Sequence, residues 1–226
     1  MSYAFLPAPQ PTLPVKGSDK LFPVHRIYCV GRNYAEHTKE MGGDTKDPPF
    51  FFQKNADNVT SDGRFPYPSS TSNVHFEIEL VVALKSGGVN IKPADALGHV
   101  FGYAVGIDMT RRDLQDAAKK LARPWEVAKA FEHSAPCTAL VPAQHVESPG
   151  KGAIWLDVNG QRKQTGDLSQ MIWDVPNQIA FLSGLFELKA GDLIFTGTPS
   201  GVGAIRKGDR MTAHIDGVGD LEVAVV

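Results

Sequence analysis

Between His75 and Leu84 the chain is a run of aliphatic and aromatic residues broken only by Glu77 and Glu79. Such a run, rich in β-branched side chains, reads as a β-strand. Side chains alternate faces along a strand, so Phe76, Ile78 and Leu80 share one face and Glu77 and Glu79 the other. Next neighbours on one face stand roughly 7 Å apart, close enough for both carboxylates to reach one ion. The same pattern also suits a half-solvated strand with two glutamates on its wet face. Asp108 bears on the choice, because it is the only charge within the apolar run Phe101–Met109. An acid inside such a run is rarely left unpaired. Three oxygen ligands with no cysteine or histidine cluster beside them suit a hard divalent cation such as Mg²⁺ or Mn²⁺.

The chain has 226 residues, enough for one domain with a sizeable core. Apolar residues make up 42% and charged residues 21%, as in an ordinary soluble globular protein. A net charge of -2 gives no argument for nucleic acid or an acidic membrane surface as partner. Cys29 and Cys137 form no CxxC pair, so neither a disulfide framework nor a zinc site is indicated. No basic segment followed by an apolar stretch opens the chain, and no apolar run approaches the ~20 residues that span a bilayer. A soluble, cytoplasmic protein in a reducing environment is the expectation.

Residues 1–23 contain Pro7, Pro9, Pro11, Pro14 and Pro23, which predicts an extended proline-rich leader ahead of one domain over 24–226. Arg26–Val30 reads as a buried strand ended by Gly31. Residues 33–41 read as a short helix capped by Asn33, with His37 and Glu40 three apart on one face. Gly42 to Pro49 reads as loop, and Phe50–Phe52 as a strand into the core ending at Gln53 and Lys54. Residues 33–49 and 55–74 are candidates for a movable lid. Thr110 to Leu121 is the clearest helix, with Leu114, Ala117, Ala118 and Leu121 at the apolar period and Pro124 as its stop. Arg112 and Gln115 then share a polar edge, either solvated or turned toward Asp108. Lys129 is flanked by apolar residues, a setting common for a lysine whose stem covers the surface. Asn159–Gly160 signals a hairpin, and Pro176 suits the first turn of a second helix. Gly197, Gly201 and Gly203 lack phosphate-loop spacing and read as a tight turn presenting Thr198 and backbone N–H groups. Strands outnumber helices, so the fold class is mainly β with a few short helices (α+β).

Five segments together resemble the fumarylacetoacetate hydrolase family, in its small branch of acylpyruvases and fumarylpyruvate hydrolases. They are Val30–Tyr34, Glu77–Leu80, Gly106–Thr110, Lys129–Phe131 and Gly197–Pro199. The resemblance covers nearly everything from Arg26 onward and implies a mixed β-roll or sandwich. It implies that Glu77, Glu79 and Asp108 bind Mg²⁺ or Mn²⁺; the fourth acidic ligand of larger members has no counterpart in Cys29–Gly31. It further implies a homodimer.

The chemistry implied is hydrolysis of a 2,4-dioxo acid at the bond between its methylene and its distant ketone. Fumarylpyruvate, giving fumarate and pyruvate as in gentisate breakdown, is the first choice of substrate. Water adds to the ketone and pyruvate leaves as its enolate, whose charge a Lewis-acidic metal stabilises. His37 is the candidate base, Glu40 its orienting partner, and Lys129 the oxyanion donor, with Gln115 beside it. Arg112, Lys54 and Thr198 match positions that hold substrate carboxylate or carbonyl groups. Alternatives on the same fold are an oxaloacetate decarboxylase or tautomerase and an enzyme of the 2-hydroxyhepta-2,4-diene-1,7-dioate isomerase type, as in homoprotocatechuate breakdown. A metal-stabilised domain without catalysis is a further class, against which intact His37, Glu40 and Lys129 argue.

Overall fold

The computed structural model describes residues 2–40 and 47–226, and of residues 38–40 the backbone alone. Its central element is the strand Ile78–Leu84, flanked by Val100–Ile107 on one side and Leu193–Phe195 on the other, both antiparallel. The sheet runs to six strands in the order Val141–Pro142, Val100–Ile107, Ile78–Leu84, Leu193–Phe195, Ile27–Gly31 and Phe50–Lys54. Every residue of Ile78–Leu84 is buried, so neither face is solvated. Ile78, Leu80, Val82 and Leu84 face the main core, while Val81 and Ala83 face a smaller one with Ile27, Leu193 and Phe195. Burial on both faces explains why this strand is almost continuously apolar.

A second sheet closes the main core. Its order is Gln161–Asp167, Ala153–Val158, Arg210–Ile215, Gly219–Val225 and Arg64–Phe65. Ile154, Leu156, Met211, Ala213, Leu221 and Val223 point inward from it, and alternate with more exposed residues, as in a two-sheet sandwich. Asn159 and Gly160 take φ values of 52° and 76°, the left-handed pair that a tight hairpin needs. The helix Val175–Leu185 has Pro176 in its first turn and Asp174 as cap, accepting from the Asn177 backbone N–H. The outcome is the mainly β fold with a few short helices that the sequence predicts.

Several local expectations change. The proline-rich leader is extended but does not simply lie along the surface: Thr12–Pro14 and Leu21–Pro23 pair antiparallel, and Leu13 and Phe22 are buried in the smaller core. Those side chains have apolar area to bury, which a solvated leader would leave in water. The acidic stretch is two strands. Val74–Phe76 joins a three-stranded sheet with Thr110–Arg111 and Gly203–Ile205, and Glu77 is the joint between that sheet and the six-stranded one. At the joint Asp108 N donates to Glu77 O and Ile78 N to Gln164 Oε1, which satisfies backbone where the ladders stop. Phe50–Phe52 lies in a strand that, among the described residues, pairs only with Ile27–Gly31; Phe50 is exposed and Phe51 and Phe52 are half-buried.

The helix after Asp108 spans Arg112–Lys120 and buries Arg112, Gln115 and Ala118. Leu121, expected on the inner face, is exposed. The polar edge turns inward because Arg112 meets the buried carboxylate of Glu77, and breaking such a pair costs more than leaving leucines wet. The loop expected over Gly42 to Pro49 lies mostly outside the described residues.

Asn33 does not cap the helix Ala35–Glu40. It is buried, its Nδ2 donates to Trp173 O and Thr196 O, and its Oδ1 accepts from Trp173 N. Asn33→Ala leaves the half-buried Trp173 N and O and the buried Thr196 O without that partner, an expected loss of about 3 kcal/mol. In a thermal melt that is a fall in Tm of about 6–12 °C for a domain of this size, and a fall under about 2 °C would remove Asn33 from this role.

Candidate active site

The joint between the two sheets delivers the acids. Glu77 sits in the break and Glu79 two residues on, and Ile78 pairs with Ile107, which brings Asp108 alongside Glu77. One oxygen from each of the three carboxylates lies within 4.8 Å of the others, and all three residues are buried. The strand alternation anticipated in the sequence holds locally, but the face is closed to bulk water rather than wet.

Three cations surround the acids. Lys129 Nζ donates to Glu77 Oε2 at 2.8 Å and to Asp108 Oδ2 at 2.7 Å. Arg112 Nη2 donates to Glu77 Oε1 at 2.5 Å, and Arg112 Nη1 to Gln115 Oε1 at 2.6 Å. Lys54 Nζ lies 2.8 Å from Asp108 Oδ1 and donates to the carbonyls of Met109 and Lys129. Burial opposes ionisation of Glu77, yet Lys129, Arg112 and His37 outweigh it and hold that carboxyl below the usual range. Burial likewise opposes charge on Lys129, but Asp108 and Glu77 prevail and its ammonium is held above the ordinary lysine value. Burial and the Arg112 charge push His75 down to about 4, and its neutral Nδ1 accepts from Arg112 Nε.

Glu79 is different. Among the described residues no cation pairs with it, and its Oε2 accepts from Gly197 N at 2.7 Å. Burial, then the charges of Asp108 and Glu77, push its carboxyl well above the usual range. Gly197 has φ 94°, and a Cβ there would stand 2.6 Å from Asn33 Cβ, so the turn that satisfies Glu79 requires glycine. Asp108 Oδ1 is buried and accepts no aligned hydrogen bond, despite the nearby lysine. Converging hard oxygens, one of them unsatisfied, and a carboxylate carrying uncompensated repulsion fit a divalent cation.

The acids open onto a cavity. Of the residues singled out in the sequence, His37, Arg112, Gln115, Lys129 and Thr198 line it together with Glu77 and Glu79, while Asp108 sits just behind. His37 is buried, on the helix Ala35–Glu40. The Glu40 side chain lies outside the described residues. Lys54 is brought to the acids but not to the cavity. Its ammonium stands against Asp108 and donates to two carbonyls, so it supports Asp108.

Some functional neighbours carry no sequence signal. Gln164, in an otherwise exposed strand, is fully buried and donates from Nε2 to Thr198 Oγ1 and Pro199 O, both at 2.8 Å. His75 belongs to the acidic stretch, but nothing in its spacing announces the contact with Arg112. Phe50, Phe52 and Trp125 form an aromatic wall of the cavity.

Comparison with known proteins agrees with this geometry. The family described as fumarylacetoacetate (FAA) hydrolase C-terminal matches residues 26–226. The chain is 42% identical over 200 residues to the mitochondrial oxaloacetate tautomerase FAHD1 of Rattus norvegicus, covering 88% of this chain and 90% of that protein. It is 42% identical over 177 residues to a fumarylpyruvate hydrolase of Ralstonia sp, covering 78% of this chain and 92% of that one. The crystal structure of fumarylpyruvate hydrolase from Pseudomonas aeruginosa, in complex with Mn²⁺ and pyruvate, superposes with a TM-score of 0.97 at 51% identity, covering 100% of this chain and 99% of that one. The chain belongs to the fumarylacetoacetate hydrolase family.

Proposed function

We propose that the protein is a metal-dependent hydrolase of acylpyruvates that cleaves fumarylpyruvate to fumarate and pyruvate. The observation that carries this reading is the trio Glu77, Glu79 and Asp108 opening onto the same cavity as His37 and Lys129. The Pseudomonas aeruginosa relative, with Mn²⁺ and pyruvate bound, supports it. Glu77, Glu79 and Asp108 hold Mg²⁺ or Mn²⁺. The bound ion supplies Lewis acidity toward negative charge on the departing pyruvate fragment.

The other roles belong to the chain. His37 takes a proton from water as it adds to the distal ketone, and Glu40, one turn on, orients the imidazole. The same proton is the one the leaving pyruvate enolate requires. Lys129 stays an ammonium, since its proton is held by two carboxylates, and its third N–H is a donor for the oxyanion. Gln115 accepts from Arg112 through Oε1, which turns its NH₂ group into a donor for the same oxygen or its neighbour. Arg112 spends three N–H groups on Glu77, Gln115 and His75 and retains two for a substrate carboxylate. Thr198 accepts from Gln164, so its own O–H is directed to a substrate oxygen.

Residues 24–226 act as one catalytic unit behind the leader 1–23. The family resemblance supports a cytoplasmic homodimer working on ring-cleavage products such as those of gentisate breakdown. No helix among the described residues is long and apolar enough to cross a membrane. A second reading, oxaloacetate tautomerisation, is favoured by the Rattus norvegicus relative. It needs no water activated at a ketone, so turnover of fumarylpyruvate, acetylpyruvate and oxaloacetate measured side by side with Mg²⁺ and Mn²⁺ separates the two.

Mn²⁺ at about 100 times its Kd stabilises the folded protein by about 2.7 kcal/mol, a rise in Tm that chelator reverses. Glu79→Gln or Asp108→Asn abolishes the rise; a parent protein indifferent to both ions would refute the metal site. His37→Ala lowers kcat on fumarylpyruvate by about 10²–10⁴-fold while keeping the Mn²⁺-dependent rise in Tm. Hydrolysis at the parent rate would take His37 out of the mechanism.

A further inference from the structure

The cavity has a far end that the reaction just described does not use. Arg112, Gln115 and Lys119 lie at i, i+3 and i+7 on one helix, and all three line the cavity. At ~1.5 Å per residue, Lys119 stands about 10 Å further along the helix than Arg112. The aromatic residues lining the cavity form a continuous strip. Lys129 Nζ lies 5.0 Å from the Phe52 ring, Phe52 and Trp125 are 5.8 Å apart, and Trp125 and Phe50 are 5.4 Å apart. At the outer end of this strip are two more cations. Lys119 Nζ lies 5.4 Å from the Trp125 ring, and Arg32 Cζ lies 5.8 Å from the Phe50 ring.

These cations are close enough to feel each other. Burial, then Arg112, and further on Arg32, hold the Lys119 ammonium below the ordinary lysine value, and Asp116 and Glu77 do not reverse this. Asp116 Oδ1 is 4.0 Å from Lys119 Nζ, beyond hydrogen-bond distance. Arg32 is held at φ 59°, a left-handed backbone uncommon for a non-glycine residue and frequent at ligand-binding positions. Of the acids lining this cavity, Glu77 and Glu79 lie at the inner end, while Asp47 lines an adjoining cavity with Arg32 and Phe50.

We propose that Arg32 and Lys119 form a distal carboxylate subsite that selects acylpyruvates whose acyl group ends in a second carboxylate. The flat, conjugated acyl chain lies along Phe52, Trp125 and Phe50, with its far carboxylate between the two cations. The inference rests on the hydrolase reading for the reacting end of the substrate. It adds what makes a fumaryl group better than an acetyl group. A four-carbon diacid such as oxaloacetate, anchored at the acids, is too short to reach this end.

Two measurements test it. In calorimetry on the Mn²⁺-loaded protein, Lys119→Gln and Arg32→Gln each weaken fumarate on the order of tenfold, and weaken crotonate, which lacks the far carboxylate, far less. In kinetics, each variant raises KM for fumarylpyruvate, and the ratio of its kcat/KM to that of acetylpyruvate falls on the order of tenfold. Lys119→Arg restores most of that ratio. Equal weakening of fumarate and crotonate, or an unchanged ratio, overturns the subsite. If Arg32→Gln fails to fold, Lys119→Gln near the end of its helix decides alone. A parent protein that hydrolyses neither acylpyruvate refutes the proposed function, while the fumarate and crotonate comparison still decides the subsite.

Discussion

Taking three carboxylates out of water within one pocket is the constraint to which the rest of the molecule answers. Unpaired, each would carry a penalty of several kcal/mol. Lys129 bridges Glu77 and Asp108, Arg112 grips the other side of Glu77, and Lys54 stands against Asp108. Each of those cations is placed by a different element, so folding brings together the edge strand Phe50–Lys54, the helix Arg112–Lys120 and the short helix Glu126–Lys129 to satisfy one cluster. Among the described residues, Glu79 receives only a backbone N–H from the Gly197 turn. That asymmetry separates it from its neighbours and makes it the acid for which a bound cation does most.

The sheet architecture explains why the acids converge at all. A single strand running from His75 to Leu84 would carry Glu77 and Glu79 on one face of one sheet. Instead the backbone changes sheets at Glu77, and the chain after Val100–Ile107 crosses beside it with Asp108. Two ladders end at the same place, and the gap between them is where the side chains meet. Gln164, from the second sheet, fills the hydrogen-bonding vacancy on Ile78 N and also reaches Thr198. The scaffold and the cavity are therefore joined through one buried amide.

Much of this was legible in the sequence because it rests on local pattern. Alternation put Glu77 and Glu79 on one face, an isolated charge in an apolar run marked Asp108, and Asn159–Gly160 and Pro176 sit where turn and helix-start chemistry place them. Helical spacing set Arg112 beside Gln115 on the edge that meets the acids. What was not legible depends on partners distant in sequence. Leu114 and Leu121 have the period of a buried stripe, but the pull of Glu77 on Arg112 rotates the helix the other way. Phe50–Phe52 is apolar enough for a core and is left at an edge because, among the described residues, no further strand pairs beyond it. Lys54, Gln164 and the Asn33 contacts are long-range polar pairings with no periodic signature.

The Asn33 side chain ties together parts of the molecule that are remote along the chain. It holds the backbone just ahead of the His37 helix to Trp173 and to Thr196, whose neighbour Gly197 holds Glu79. The imidazole and one of the acids are thus carried on a common rigid mount, with their separation set by an amide rather than by the helix itself. Any swing of that helix must pivot on Asn33, and its displacement grows with distance from that anchor.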